Sequence, residues 1–151
     1  MTERQDPRLL DLYKLAVEMA DRVSARRGTT NTFYLTVQTT FVAVLAIAAP
    51  QDASTPTWQA GVASATGVLV SVSWWLQLRS YRLLNSAKFD VINEIEKELP
   101  IKIYTEEWLI LKQKQLTPWR KRYVELGHVE RIVPWVFAAL YVTLFVADVS
   151  R

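Results

Sequence analysis

The chain has 151 residues, which is enough for one domain and leaves no room for a separate catalytic domain. It contains no cysteine and a single histidine, which excludes disulfide frameworks, thiolate metal sites and imidazole clusters for zinc. The net charge of +3 is low for a nucleic-acid-binding protein, which usually has a denser basic surface. Half of the residues are hydrophobic and 22% are charged, and the two kinds are segregated along the chain. We therefore expect one all-α membrane domain over residues 1–151.

Residues 1–30 predict an amphipathic helix that starts at Asp6 and Pro7, a capping residue followed by a first-turn proline. Apolar residues recur at helical spacing on one side of this helix, at Leu9, Leu12, Ala16, Met19 and Val23. The stripe needs a partner, which is another cytoplasmic helix, a neighbouring subunit or the lipid surface. The polar N-terminal residues do not resemble a cleavable signal peptide, so the first membrane helix is expected to direct insertion.

Three arginines, Arg22, Arg26 and Arg27, precede the first long apolar run. They are candidates for a phosphate or nucleotide contact, but anchoring to lipid headgroups is the favoured interpretation. Basic residues also follow the second apolar run, whereas the connector between the two runs has none. Under the positive-inside rule, this distribution places the N-terminus and residues 79–131 in the cytoplasm and the connector outside.

Two apolar runs dominate the chain, because residues 28–51 and 53–78 contain no charged side chain. Each run exceeds the ~20 residues that a helix needs to cross the ~30 Å hydrocarbon layer of a bilayer. They predict membrane helices at 31–49 and 58–78, joined by an external loop at 50–57 that holds two prolines. A helical hairpin through the membrane is favoured over a soluble bundle with two very apolar helices.

The first predicted span has threonines along one side, at Thr32, Thr36 and Thr40, with Thr39 beside them. A helical threonine can return its hydroxyl hydrogen bond to the backbone carbonyl one turn earlier, so the row is compatible with dry helix packing. The same hydroxyls are also suited to line a water-filled path. Both interpretations stay open, and Thr32, Thr36 and Thr40 are the candidate pore-lining residues.

Small residues share one side of the second predicted span, at Ala60, Ser64, Gly67 and Ser71. Small side chains let helix backbones approach closely in a bilayer, where no hydrophobic effect drives helices together. These residues are the candidate helix-packing positions. We expect the subunits to assemble through this face and through the cytoplasmic apolar stripes.

The helix of the second span has no breaker before Pro100, so it is expected to continue to Leu99. Its cytoplasmic part carries a further apolar stripe, at Leu83, Ala87, Val91, Ile95 and Leu99. Asp90, Glu94 and Glu98 have a spacing that would bring three carboxylates together for a divalent cation. Such spacing more often marks a solvated helix face, so no metal site is predicted.

A third helix is predicted to start near Thr105, with this threonine as its cap and acidic residues in the first turn. The basic stretch that follows includes Arg120, Lys121 and Arg122, with aromatic residues between the charges. Beside a membrane this pattern favours contact with lipid headgroups over contact with nucleic acid.

Residues 132–149 predict a third membrane helix, with Pro134 tolerated in its first turn. This helix would place the C-terminus outside. The alternative is a helix that lies on the membrane or packs against the cytoplasmic stripes of neighbouring subunits.

No motif of a catalytic or nucleotide-binding site occurs in the sequence, neither a phosphate-binding glycine loop nor a zinc-protease helix nor a glycine-flanked serine. His128 has acidic neighbours but no candidate nucleophile, so a surface histidine is the favoured interpretation. The hairpin spans also lack the charged residues of a proton relay. We predict that the protein is not an enzyme and needs no cofactor or metal.

Several segments resemble the RipA family of octameric bacterial membrane proteins, from about residue 9 to residue 146. They are Tyr13–Arg27 leading into Thr30–Phe33, then Leu99–Pro100, Tyr104–Trp108 and Val133–Phe137. This resemblance implies a homo-octamer in the bacterial inner membrane with a cytoplasmic helical part. More distantly, the layout is similar to SLATT-domain proteins, which implies a pore-forming effector in bacterial conflict systems. Its trigger would be a nucleotide or oligonucleotide signal, or the partner enzyme that makes it.

The resulting hypothesis is an oligomeric inner-membrane protein that acts as a gated pore or membrane-disrupting effector in antiphage defence. The lipid bilayer and further copies of the chain are its expected partners. The alternative is a non-conducting oligomeric scaffold that organises other membrane proteins.

Overall fold

A computed structural model of the chain describes residues 7–48, 56–114 and 126–150. These residues form four α-helices and no strand, namely α1 (Pro7–Ala48), α2 (Thr57–Glu96), α3 (Ile103–Lys114) and α4 (Leu126–Val149). Within the described residues, α1, α2 and α4 are long and apolar enough to cross a membrane by length and composition. The prediction of an all-α fold with a third candidate membrane helix is confirmed.

The two N-terminal segments predicted at 1–30 and 31–49 belong to one helix, because α1 continues through Gly28. Glycine in a helix interior costs roughly 1 kcal/mol relative to alanine, which is not enough to break a helix without a proline or turn beside it. No glycine in the described residues has a positive φ. The amphipathic segment and the first span therefore lack the helix break that was predicted between them.

The helix α2 ends at Glu96, three residues before the predicted end at Leu99. The backbone tightens here into i to i+3 hydrogen bonds, from Lys97 N to Glu94 O at 3.2 Å and from Leu99 N to Glu96 O at 3.1 Å. The physical reason is Pro100, which disfavours helical geometry at the residue before it. The next helix starts earlier than predicted, at Ile103, so the assignment of Thr105 as its cap was wrong.

The helix α4 begins at Leu126, so Pro134 lies in its interior and the prediction of a first-turn proline was wrong. Proline has no N–H and therefore cannot donate the usual helical hydrogen bond to the carbonyl four residues earlier. The Pro134 ring is fully buried. The part of α4 that qualifies as a membrane span is Glu130–Val149, which contains the predicted segment 132–149.

The chain divides into two compact units. The apolar unit comprises residues 28–79 and 126–151, and it contains the uncharged parts of α1 and α2 together with the candidate span Glu130–Val149. The charged unit comprises residues 1–27 and 80–125.

The core of the charged unit overlaps the predicted stripe of α1 only in part, since Ala16 packs against the core cluster and Val23 is buried. Tyr13, Ala20 and Ile92 form its buried cluster. Leu12 and Met19, two other residues of the predicted stripe, are exposed. The helix carries two neighbouring stripes at helical spacing, and the stripe through Tyr13 is the one that packs against α2.

Candidate functional site in the apolar unit

A buried glutamine joins the three helices of the apolar unit. The Gln38 side chain on α1 is fully buried, and its Nε2 donates to Ser71 Oγ at 2.6 Å and to the Gly67 carbonyl at 3.4 Å on α2. Its Oε1 accepts a hydrogen bond from the Tyr141 hydroxyl on α4 at 2.7 Å. The Ser71 hydroxyl donates in turn to the Gly67 carbonyl at 2.9 Å. This network satisfies polar groups that would otherwise be costly in hydrocarbon and fixes the register of the helices.

Gly67 permits this arrangement because it leaves room for an aromatic ring. A Cβ atom at this position would lie 2.6 Å from three ring atoms of Tyr141, which is closer than real Cβ contacts come. Gly67 and Ser71, two of the predicted packing residues, are buried against α1 and α4 of the same chain. The surface that they would offer to another subunit is therefore already used within this one.

Aromatic side chains form a second layer in the same unit. Trp74 is buried, and its Nε1 donates to Asn31 Oδ1 at 3.1 Å. The Tyr34 ring stacks on Trp74 with centroids 5.9 Å apart, while Phe137 on α4 tilts against it at 6.1 Å. Trp74 therefore belongs to the interior of the apolar unit, where its indole N–H has a hydrogen-bond partner.

Trp75, the next residue, has the environment that an interfacial residue would have. Its ring is half-buried and makes an edge contact with Trp135 at 5.8 Å. The Arg79 guanidinium lies 5.7 Å from the centre of the same ring. Aromatic and basic side chains are enriched together at the headgroup level of membranes.

The threonine row lies on the outside of α1. Thr32, Thr36 and Thr40 are exposed, and a helix turns by about 100° per residue, so Thr36 points almost directly away from Gln38. The Thr36 hydroxyl donates to the Thr32 carbonyl at 3.0 Å, and Thr39 donates to the Leu35 carbonyl at 2.8 Å. The row thus faces away from α2 and α4 and bonds in part to its own helix.

A cavity of about 530 Å³ lies between the C-terminal halves of α1 and α4 and the first turns of α2. Ala60 and Ser64, the other two predicted packing residues, line it together with Leu45, Leu144 and Phe145. The volume lies in the range of small-ligand sites. Small residues at this end of α2 thus border open space, whereas those at the Gly67 end border a ring.

The charged unit has a buried carboxylate at the end of α2. Glu96 accepts hydrogen bonds from the Tyr13 hydroxyl at 2.9 Å and from the backbone N–H groups of Tyr104 and Thr105 at 2.9 and 3.3 Å. The Thr105 hydroxyl donates to it as well, at 3.1 Å. Glu96 thereby satisfies amide groups in the first turn of α3, as a capping side chain does.

These contacts set the ionisation of the pair. Burial raises the pKa of Glu96, but the hydrogen bonds from Tyr104, Tyr13 and Thr105 outweigh this effect and leave the pKa lowered. Burial, together with the hydrogen bond to Glu96 and its negative charge, raises the pKa of Tyr13 to about 12. Both groups are therefore held in the charge states that favour their hydrogen bond.

The predicted phosphate or headgroup contacts are only partly described. Arg22 and Arg26 are exposed and Arg27 is half-buried. Arg22 forms a surface ion pair with Glu18 at 2.7 Å. The other three candidates, Arg120, Lys121 and Arg122, lie outside the described residues.

The acidic row on α2 is distributed over the surface. Asp90, Glu94 and Glu98 are exposed, and Glu94 pairs with Lys97 at 2.5 Å. In the part of the chain that the structure describes, no three His, Cys, Asp or Glu side chains come together as metal ligands.

A family model matches residues 10–150 of the chain, and its description is the octameric membrane protein family (8xMP). The chain belongs to this family. The match includes the described parts of all four helices except the first few residues of α1. Neither the curated proteins nor the solved structures gave a match.

Membership of the 8xMP family confirms the expectation of an oligomeric membrane protein and excludes the soluble bundle. The RipA and SLATT names remain resemblances. For an 8xMP subunit, the packing of Gly67 and Ser71 against its own helices means that contacts between subunits need further surface.

The sequence pattern of this 8xMP chain predicted Gly67 and Ser71 as packing residues but not the buried side chains that they meet, nor the buried carboxylate of the charged unit. Gln38 and Asn31 are uncharged polar residues inside an apolar run, which is a usable signal for buried hydrogen bonding in a membrane. Tyr141 gave no such signal, because tyrosine is equally common at membrane interfaces. Glu96 sits in a run of acidic residues that otherwise face solvent, so its burial could not be read from the pattern.

Proposed function

We propose that the octamer is a gated membrane pore or membrane-disrupting effector in which α1 lines the path with Thr32, Thr36 and Thr40. The observation that carries this proposal is the exposed threonine row, which points away from the subunit interior on a candidate spanning segment. Polar side chains at membrane depth usually face protein or a water-filled space and not lipid. In a ring of eight subunits, such a row is suited to face the axis.

The packing inside the subunit favours a path between subunits over one through each subunit. Gln38, Ser71 and Tyr141 meet in the interior of the apolar unit, and Trp74 fills the adjacent layer. An ion would have to break these buried hydrogen bonds to pass between the three helices.

The second candidate is a non-conducting scaffold, which is favoured by the hydroxyl bonds of Thr36 and Thr39 to their own helix. A threonine that has returned its hydrogen to the backbone can pack dry against a neighbouring helix. In that case the row would be a contact between subunits and nothing would cross the membrane. Neither candidate gives the chain a catalytic role.

The double substitution of Thr36 and Thr40 by valine tests the two candidates. Valine keeps the shape and removes the hydroxyl, so a pore lined by this row should change its single-channel conductance by roughly twofold or more. Planar-bilayer recording on the purified octamer gives the measurement. The matched control replaces Thr66 and Thr143, two exposed threonines of α2 and α4 that also donate to their own helices, and should leave conductance unchanged.

An octamer that conducts under none of the tested ligands would contradict the pore and leave the scaffold. An equal effect of the control pair would show that any lost hydroxyl perturbs the assembly, and would remove the special role of α1.

We further propose that the trigger is a cytoplasmic nucleotide, oligonucleotide or partner enzyme and that the pore serves antiphage defence. This part rests on the similarity to SLATT-domain proteins and on the exposed Arg26. Adding candidate nucleotides during the recording should raise the open probability, and Arg26→Gln should weaken that response. A response that Arg26→Gln leaves unchanged would argue against a phosphate contact at this arginine.

The proposed location is the bacterial inner membrane with the N-terminus in the cytoplasm and the C-terminus outside. Because the chain has no native cysteine, single cysteines at Ser24 and Ser150 report the two sides. Both positions are exposed. In cells with a permeabilised outer membrane and an intact inner membrane, a membrane-impermeant maleimide should label Ser150→Cys and not Ser24→Cys. If neither cysteine is labelled, both termini are cytoplasmic and the third span is contradicted. If Ser24→Cys is labelled, the N-terminus lies outside and the proposed orientation is wrong.

A further inference from the structure

Outside the spanning segments, α1 presents a row of large apolar side chains that its own unit does not bury. Leu12, Leu15 and Met19 are exposed, with Met19 at 46%. They follow the i, i+3, i+7 spacing of a heptad seam, the pattern by which helices pack side by side. The row adjoins the core stripe of Tyr13 and Ala20 but is separate from it.

The helix α2 carries a matching row in the same unit. Leu84, Ala87 and Val91 have the same i, i+3, i+7 spacing, and all three are exposed, with Val91 at 56%. Large apolar side chains clustered outside a membrane segment mark a contact site more often than a free surface.

The two rows lie on one side of the helix pair. Met19 precedes the buried Ala20 by one residue, and Val91 precedes the buried Ile92 by one residue, so each row is turned from the core stripe by about 100° in the same sense. Consecutive helices joined as a hairpin are antiparallel, and equal rotations then bring both rows to the same side. We call the six residues the heptad face: Leu12, Leu15, Met19, Leu84, Ala87 and Val91.

The helix α3 covers the opposite side of this pair. Tyr104 stacks its edge against Phe89 at 5.5 Å and donates its backbone N–H to Glu96. Phe89 and Glu96 are turned from Ile92 in the sense opposite to Val91. Among the described residues, the heptad face is therefore left to solvent.

Charged residues limit the heptad face at the next positions of the same spacing. Arg22 and Arg26 continue the α1 row, and Glu94 and Glu98 continue the α2 row, and all four are exposed. An apolar centre with a charged rim is the usual anatomy of a protein–protein contact. Anionic headgroups attract basic faces and repel carboxylates, so the acidic side of the rim argues against the lipid surface as the occupant.

We propose that the heptad face is a contact between copies of this chain within the octamer. The family is octameric, and the small-residue face at Gly67 and Ser71 is occupied within the subunit, so assembly has to use other surfaces. The heptad face combines exposed apolar side chains at helix-pairing spacing with a rim that disfavours lipid. The contact is independent of whether the octamer conducts.

Charge substitutions on this face should break the assembly. Met19→Glu and Val91→Glu place a carboxylate in an apolar contact, so each should lower the mass of the detergent-solubilised assembly by about twofold or more. Mass is measured by light scattering or native mass spectrometry. The controls are Leu10→Glu and Leu109→Glu, because Leu10 is exposed by 46% and Leu109 by 56%, as Met19 and Val91 are, and neither belongs to the face. Retention of the full mass by Met19→Glu and Val91→Glu, or an equal loss in the controls, would overturn the proposal.

Photo-crosslinking identifies the occupant directly in the full-length protein. A photoreactive phenylalanine analogue at position 19, with the protein in its native membrane, should give a product of twice the subunit mass. A product with lipid, with a different protein or with another segment of the same chain would each overturn the proposal. This readout does not depend on whether the glutamate variants fold.

Discussion

Gly67→Ala is expected to disrupt the apolar unit and to lower its stability by about 1–3 kcal/mol, the usual cost of overpacking a filled interior. The added methyl group would lie 2.6 Å from the Tyr141 ring. Tyr141 is 1% exposed and is held by its hydrogen bond to Gln38, so it has little room to move. Thermal unfolding of the detergent-solubilised protein, followed by circular dichroism, gives the measurement.

Two other glycines provide matched controls for this substitution. A methyl group at Gly61 would make an ordinary contact of 3.5 Å with Phe145, so Gly61→Ala should change stability little. At Gly28 no atom lies within 4 Å, so Gly28→Ala should stabilise the helix by about 0.5–1 kcal/mol through its higher helix propensity. Wild-type stability of Gly67→Ala, or equal losses at Gly61 and Gly67, would contradict the close approach of α2 and α4.

Glu96→Gln is expected to destabilise the charged unit by about 2–3 kcal/mol, because hydrogen bonds to a charged acceptor contribute more than those to a neutral one. The substitution also replaces one carboxylate oxygen, a hydrogen-bond acceptor, by an amide NH₂ donor next to the backbone N–H donors of Tyr104 and Thr105. Hydrogen exchange at these two amides should accelerate with the loss of stability. The control is Glu94→Gln, since Glu94 is exposed on the same helix and pairs with Lys97 at the surface, where ion pairs contribute about 1 kcal/mol or less.

The same pair gives the charged unit a defined pH dependence. The folded pKa of Glu96 is lowered from 4.5, so its contribution is present above pH 4.5 and is lost as the pH falls through the folded value. The folded pKa of Tyr13 is raised from 10.0 to about 12, so its contribution is present below pH 10 and is lost as the pH rises toward 12. Glu96→Gln should flatten the acidic limb. An unchanged acidic limb in this variant would assign the acid sensitivity to other carboxylates.

The location of the spans could be predicted because it depends on one local property, the absence of charge in residues 28–51 and 53–78. The side-chain contacts inside the apolar unit could not be predicted in the same way. Helical periodicity shows which side of α1 carries Gln38. Whether Gln38 forms hydrogen bonds with Ser71 and Tyr141 depends on the register between the helices. A single sequence contains no measure of that register.

The side of α1 that packs in the charged unit illustrates a second limit. The predicted stripe combined Ala16 and Val23, which pack in the core, with the exposed Leu12 and Met19, and it omitted the buried Tyr13 and Ala20. Leucine and methionine are the more apolar choice, so composition favours them for the core. If the heptad face is a contact between subunits, both stripes are buried in the assembly, and helical periodicity alone does not separate them. Pro134 and Glu96 show a similar limit, because their roles are set by where helices begin and end, which local patterns define poorly.

Electron cryomicroscopy of the assembly in lipid nanodiscs tests the central claim most directly. The proposed pore requires eight subunits around an axis, with the α1 segments innermost and Thr32, Thr36 and Thr40 facing a continuous water-filled or closable path. A ring in which these threonines contact a neighbouring helix or lipid, with the axis filled by protein or lipid in every state, would contradict the pore. Such a map would leave the oligomeric scaffold as the function of this membrane protein.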